Sequence, residues 1–203
     1  MSVFWLVLSV LLWGLLHSLF ASLRFKDFVQ RVLGLGSNRF YRLFYNLFAG
    51  ISFVAVLIVA ALTPDQTLYV IPFPWVILMI LGEFMAVAAL VIGFMQTDAW
   101  DFIGIRQLSG TDVKRPPELV TRGLYRYVRH PLYTAGMMFI WLMPLMTIRV
   151  LAIDIALTIY MIVGANFEER KLKREFGQDY VDYMAATPMF IPFLKKPRNR
   201  MSI

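Results

Sequence analysis

The 203-residue sequence contains no cysteine. This absence excludes disulfide bonds, zinc sites built on thiolates and iron–sulfur clusters. Charged residues are also scarce, at 16% of the chain, whereas a soluble domain carries about 25%. Hydrophobic residues reach 59% and fall in long runs, as in membrane proteins. The net charge is +7, but the basic residues lie between the apolar runs, which favours a membrane protein over a nucleic-acid-binding one.

The apolar runs predict an all-α integral membrane protein with about five transmembrane helices. They cover residues 2–23, 43–62, 72–95, 131–148 and 150–167. The first three approach the roughly 20 residues that cross about 30 Å of hydrocarbon. The last two are short and are separated only by the region of Arg149, with Pro144 just before it, which predicts a tight helical hairpin. We expect one membrane domain over 1–203, divided into a three-span half (1–95) and a C-terminal half (96–203).

Lysine and arginine alternate between the connections and predict the orientation. Segment 24–42 holds five, 63–71 none, 96–130 six, the hairpin turn one and 168–203 eight. Because basic connections face the cytoplasm, we expect the N-terminus outside, the C-terminus inside and an odd number of spans. The first apolar run lacks a charged n-region and an A-x-A cleavage site, so we expect a retained span and not a cleaved signal peptide. We therefore expect an integral membrane protein of the bacterial inner membrane.

Polar side chains gather on both sides of the predicted hairpin. They are Arg126, Arg129, His130 and Tyr133 before it, and Glu168 and Glu169 after it. A tight hairpin returns the chain to the face it left, so we expect these two clusters to meet at the cytoplasmic boundary. Acidic groups that face an Arg/His cluster favour a site for a zwitterionic ligand.

Each of these residues also has a simpler interpretation. Arg126 and Arg129 could be positive-inside anchors, and Tyr133 could be an aromatic at the membrane interface. His130 could precede a helix whose first turn holds Pro131. The two glutamates could begin an amphipathic helix over 167–184, which has apolar residues at helical spacing and an interruption near Gly177.

Two stretches, LVTRGLYRYVRHPLYTAG (119–136) and NFEERKLKREFGQDYVDYM (166–184), resemble the C-terminal signature of the isoprenylcysteine carboxyl methyltransferase superfamily of integral membrane methyltransferases. TDAWDFIGIRQL (97–108) and HSLFASLRF (17–25) resemble stretches of its methanethiol S-methyltransferase branch and of related denitrification-associated membrane proteins.

The resemblance implies S-adenosyl-L-methionine bound at the cytoplasmic end of the last two spans. An arginine forks onto a carboxylate and a glutamate accepts hydrogen bonds from an ammonium or from hydroxyls. The cofactor-binding residues it implies are Gln107, Tyr125, Arg129, His130, Pro131, Tyr133, Glu168 and Glu169. No metal is needed for methyl transfer.

The predicted function is therefore methyl transfer to a small or lipidic hydrophobic acceptor, with a thiol favoured. A thiol reacts as its thiolate, and Arg106 and His17 are the candidate catalytic residues that stabilise it. The expected partners are the lipid bilayer and the methyl acceptor, without nucleic acid. Two alternatives stay open: an NADPH-dependent membrane reductase of related architecture, and a non-enzymatic regulatory membrane protein. Asp154 is expected at the membrane interface, close to Arg149.

Overall fold

The structure is a computed structural model that describes residues 2–33, 41–97 and 118–194. Its α-helices are α1 (Val3–Ala21), α2 (Leu23–Leu33), α3 (Tyr41–Leu62), α4 (Trp75–Gln96), α5 (Pro131–Trp141), α6 (Ile148–Phe176) and α7 (Gln178–Ala186). A 3-10 helix covers Gly123–Arg126, and the strands β1 (Thr67–Val70) and β2 (Leu145–Thr147) pair as a two-stranded sheet. The prediction of a mostly helical protein is confirmed.

Four helices in the described ranges are long and apolar enough to cross a membrane: α1, α3 from Leu43, α4 and α6. They match four of the five predicted segments. The segment 131–148 differs, because α5 has only 11 residues, or about 16 Å at 1.5 Å per residue. Pro144 lies two residues after the C-cap Leu142 and disfavours helix at Met143. Five full-length spans and a tight pair of helices are therefore not confirmed.

The first of two compact units contains α1–α3 and the beginning of α6, up to Leu157. Its core forms around the buried Val10, Val56 and Ala156. Arg149 lies at the end of α3, where its Nη2 is 2.9 Å from Asp65 Oδ2 and its Nη1 donates to the carbonyl of Ala60 at 2.7 Å. The guanidinium thus satisfies carbonyls that a helix end leaves unpaired.

Asp154, on α6 in the same unit, is only 3% exposed. Arg149 pairs with Asp65, and the position of Asp154 at the membrane interface stays a prediction. Within the part of the chain that the structure describes, Asp154 Oδ2 has no hydrogen-bond partner.

The second unit contains α4, the 3-10 helix, α5, the remainder of α6 and α7. Glycines allow α4 and α5 to approach each other closely. A Cβ at Gly93 would lie 3.1 Å from Leu132 Cδ2, and one at Gly82 would lie 2.5 Å from Leu142 Cδ1. Because residue numbers rise along α4 as they fall along α5, the two helices run antiparallel. Small residues at such contacts are typical of membrane helix packing.

The end of the second unit turns at Gly177, which adopts a positive φ of 56°. This conformation suits glycine and separates α6 from α7. The predicted interruption near Gly177 is confirmed. The charged stretch 168–176 belongs to the same helix as the last apolar run, so α6 carries Glu168 and Glu169 as a continuation of a candidate span.

Candidate active site

The start of α5 and the charged part of α6 meet in the second unit. Arg129 Nε donates to Glu169 Oε1 at 2.7 Å, and Arg129 Nη2 lies 2.6 Å from the same oxygen. His130 Nε2 is 3.3 Å from Glu169 Oε1, and His130 Nδ1 is 3.8 Å from Glu168 Oε2. The expected proximity of the two polar clusters is therefore confirmed, although a hairpin of two full spans is not.

A third segment, residues 184–190, completes the cluster. Arg129 Nη1 donates to the carbonyls of Thr187 at 2.5 Å and Met184 at 3.2 Å. The Arg129 N–H donates to the carbonyl of Pro188 at 2.9 Å, and the His130 N–H to that of Met189 at 3.2 Å. Sequence reasoning missed this segment, since its contribution is made by backbone carbonyls. In the sequence, the only indication of this segment is the Thr187–Pro188 pair, which follows the last residue of α7.

Burial divides the charged groups into two kinds. The Arg129 and Glu169 side chains are 6% and 9% exposed, whereas that of Glu168 is 46% exposed. The Arg129 guanidinium is engaged by a carboxylate and two carbonyls, so it ties α5, α6 and the segment 184–190 together. Glu168 keeps an accessible carboxylate at the edge of this buried group.

His130 lies between the two glutamates, and burial lowers its pKa below the ordinary 6.5. The negative charges of Glu168 and Glu169 oppose this shift, and the Arg129 charge adds to it. The imidazole is therefore neutral near pH 7, with one nitrogen that donates and one that accepts hydrogen bonds. Pro131 follows as the first residue of α5, the position where its missing N–H costs no helical hydrogen bond.

Aromatic side chains surround the charged cluster. The rings of Tyr133 and Phe190 have centroids 5.5 and 5.8 Å from that of His130. Tyr183 donates its hydroxyl to the carbonyl of Tyr125 at 2.6 Å, which joins α7 to the 3-10 helix. Burial and the Glu168 charge raise the pKa of Tyr125 to about 12. Tyr125 therefore keeps its phenol proton near pH 7.

The remaining predicted residues fall elsewhere. Arg106 and Gln107 lie outside the described residues, and Arg126 is exposed. His17 belongs to the first unit, where its Nε2 is 2.6 Å from the Tyr45 hydroxyl and its ring centroid is 5.2 Å from that of Trp13. The sequence analysis did not identify Tyr45, a residue of α3, as a partner of His17. Within ranges 2–33, 41–97 and 118–194, no three His, Asp or Glu residues could hold a metal ion together.

The described residues thus form a mostly helical protein with four candidate membrane-spanning helices and a buried Arg–Glu pair beside an accessible carboxylate. Residues 75–179, just over half of the chain, match the phospholipid methyltransferase family. The chain belongs to this family. The matched range contains α4, the 3-10 helix, α5 and α6, and so both the Arg129–Tyr133 stretch and the two glutamates.

Similar proteins are found among curated relatives. Methanethiol S-methyltransferase 2 of Bradyrhizobium diazoefficiens is 39% identical over 101 residues, which cover 48% of this chain and 39% of the relative. Methanethiol S-methyltransferase of Crocosphaera subtropica is 35% identical over 100 residues, with the same coverage. Protein-S-isoprenylcysteine O-methyltransferase B of Arabidopsis thaliana is 30% identical over 80 residues, or 38% of this chain and 41% of the relative.

The matched part of the chain thus spans about two fifths of the length of these curated relatives. The predicted resemblance to the membrane methyltransferases is confirmed. No solved structure matches the chain significantly.

Proposed function

We propose that this protein is an S-adenosylmethionine-dependent membrane methyltransferase whose acceptor is a small thiol. One observation carries the proposal: within the family-matched range, the segment 129–133 and the glutamates of α6 form one cluster that leaves a single accessible carboxylate, Glu168. The methyltransferase names of the relatives support the reaction class. The methanethiol S-methyltransferases among them support a thiol acceptor.

The charges of the cluster fit the cofactor. The Arg129 and Glu169 charges cancel within their buried pair, and the neutral His130 adds none. Glu168 therefore leaves the cluster with a net negative charge. S-adenosylmethionine carries an ammonium, a carboxylate and a sulfonium, so its net charge is positive. The two are complementary.

The residues would hold this ligand in distinct ways. Glu168 would accept hydrogen bonds from the ammonium or from the ribose hydroxyls. The faces of Tyr133 and Phe190 next to His130 are suited to a sulfonium cation. Arg129 and Glu169 would act as a frame that fixes His130 and the segment 184–190, instead of forking onto the ligand. Gln107, Tyr125 and Pro131 complete the proposed binding set.

When bound, the cofactor supplies an electrophilic methyl group on a good leaving group. The protein's own contribution is then to position the acceptor and to exclude water. A thiol must also lose its proton, because the thiolate is the nucleophile. Arg106 and His17 remain the proposed catalytic residues that stabilise this thiolate, and a hydrogen bond with the Tyr45 hydroxyl holds the His17 imidazole.

The packing of the second unit supports a fifth crossing by the predicted segment 131–148. Leu132 lies against Gly93 and Leu142 against Gly82, so the α5 segment runs back along most of α4. The Ile71 N–H then donates to the carbonyl of Pro144 at 2.8 Å, beside the start of α4. An 11-residue helix with a short extension thus covers nearly the same depth as a candidate span. Together with the basic connections, this packing supports the proposed orientation, with the N-terminus outside and the cofactor cluster at the cytoplasmic face of a bacterial inner membrane.

Methyl transfer tests the proposal. The purified protein in lipid is given S-adenosylmethionine with a labelled methyl group and, separately, methanethiol, a prenylcysteine analogue or a phospholipid. We expect labelled dimethyl sulfide from methanethiol, a much lower rate with Glu168→Gln, and an unchanged rate with Glu175→Gln, an exposed glutamate two turns along the same helix. Transfer only to one of the other acceptors would overturn the thiol assignment. Absence of transfer together with preferential NADPH binding would support a reductase instead.

A further inference from the structure

Helix α2 separates its side chains into two faces. Phe25, Phe28, Val29 and Val32 fall on one side at helical spacing, while Lys26, Asp27 and Arg31 fall on the other. Phe25 and Val29 are half-buried, but Phe28 and Val32 are 58% and 62% exposed. Phe28 and Val32 therefore form an exposed apolar strip on α2, next to the half-buried Phe25 and Val29.

The position of α2 indicates what covers this strip. Ser22 lies between α1 and α2 in an extended conformation, with φ −71° and ψ 139°, so the chain bends where the candidate span α1 ends. The Ser22 hydroxyl donates to the carbonyl of Leu19 at 2.7 Å and accepts from the N–H of Phe25 at 3.2 Å. One serine therefore both ends the span and begins α2.

The start of α3 lies beside the end of α1. Tyr41, at the start of α3, donates its hydroxyl to the carbonyl of Phe20 at 2.6 Å. Phe20 packs against Phe25 and Phe48, with ring centroids 4.7 Å apart in both pairs. Helix α2 therefore begins beside the adjoining ends of the candidate spans α1 and α3.

We propose that α2 lies in the membrane interface, with Phe28 and Val32 inserted among lipid acyl chains and its charged face toward water. This arrangement continues the lipid contact of α1. A short helix with opposed apolar and charged faces binds by burying its apolar side about 5–10 Å into the boundary of headgroups and acyl chains. The inference does not depend on the enzymatic activity proposed above.

The absence of cysteine from the chain makes a direct test simple. Phe28→Cys and the matched control Asp27→Cys, an exposed neighbour on the charged face, each receive a nitroxide label in proteoliposomes. Electron paramagnetic resonance then measures collisions with oxygen, which concentrates in lipid, and with a water-soluble nickel chelate. We expect the oxygen-to-nickel ratio to be severalfold higher at position 28 than at position 27, in variants that melt like the wild type.

Two results would overturn the inference. Equal and high nickel accessibility at both positions would show that the strip faces water. An immobilised label at position 28 that neither reagent reaches would show that protein, such as a second copy of the chain, covers it.

Discussion

At the scale of single residues, Arg129 is the organising group of the candidate site. Its guanidinium contacts Glu169 and the carbonyls of Met184 and Thr187. The sequence predicted that the cluster of Arg129 meets the two glutamates, but it assigned the arginine to the carboxylate of the ligand and not to Glu169. It could not predict the carbonyls, since every residue has one and only the fold selects which two lie within reach.

We predict that Arg129→Ala destabilises the protein strongly. Removal of the guanidinium leaves Glu169 buried without compensation, which costs about 3–5 kcal/mol. Arg126→Ala, at an exposed position three residues earlier, should change the free energy of unfolding by less than about 0.5 kcal/mol. Thermal melting in detergent compares the two variants, and equal melting temperatures would contradict the role of Arg129 as a frame.

The neutral His130 predicts a dependence of stability on pH. Because burial lowers its pKa from 6.5 in the folded state, the unfolded chain takes up the proton first as the pH falls. Stability should be complete above about pH 6.5 and should decrease as the pH drops through the lowered pKa. Melting temperatures measured between pH 8 and pH 5 test this, with His130→Gln expected to flatten the decrease. Parallel curves for the variant and the wild type would rule out His130 as the source.

At the scale of elements, long apolar runs predicted α1, α3, α4 and α6 well, because about 20 consecutive apolar residues have few other stable structures. The length of α5 was not predicted, since the apolar run continues past Trp141 while Pro144 ends the helical conformation. Helix α2 was not predicted, because five basic residues dominate segment 24–42 and obscure the period of its few apolar residues. The pairing of β1 with β2 joins segments about 75 residues apart, and no local pattern reveals it.

The 3-10 helix depends on Gly123, and we predict that Gly123→Ala is destabilising. Gly123 has a φ of 62°, and a Cβ there would overlap the side-chain amide of Gln96. That amide accepts the Leu124 N–H at 2.9 Å. The left-handed conformation alone costs a non-glycine residue about 1–2 kcal/mol, and the displaced hydrogen bond adds to this.

A matched control for Gly123 lies in α3. A Cβ at Gly50 meets nothing within 4 Å, so Gly50→Ala should be neutral or stabilising, by up to about 1 kcal/mol from helix propensity. Thermal melting of both variants provides the comparison. A Gly123→Ala protein as stable as Gly50→Ala would show that the 3-10 helix adapts without loss.

At the scale of the whole molecule, the family-matched range 75–179 contains the charged cluster. The cluster combines the Arg129–Glu169 pair, whose charges cancel, with the accessible carboxylate of Glu168. Only the difference in burial distinguishes the two glutamates. Sequence reasoning treated Glu168 and Glu169 as equivalent, because adjacent glutamates look alike until the helix phase is known. In α6 they are about 100° apart, so that one faces the interior and the other remains accessible.

We predict that this cluster binds S-adenosylmethionine through Glu168. Calorimetric titration of the purified protein in lipid with S-adenosylmethionine tests it most directly, with Glu168→Gln and Glu175→Gln beside the wild type. We expect wild-type and Glu175→Gln protein to bind equally. Glu168→Gln should bind about tenfold or more weakly, since a hydrogen bond to a charged group contributes about 1.5–3 kcal/mol. No binding by the wild type, or equal binding by all three proteins, would show that Glu168 does not hold the cofactor.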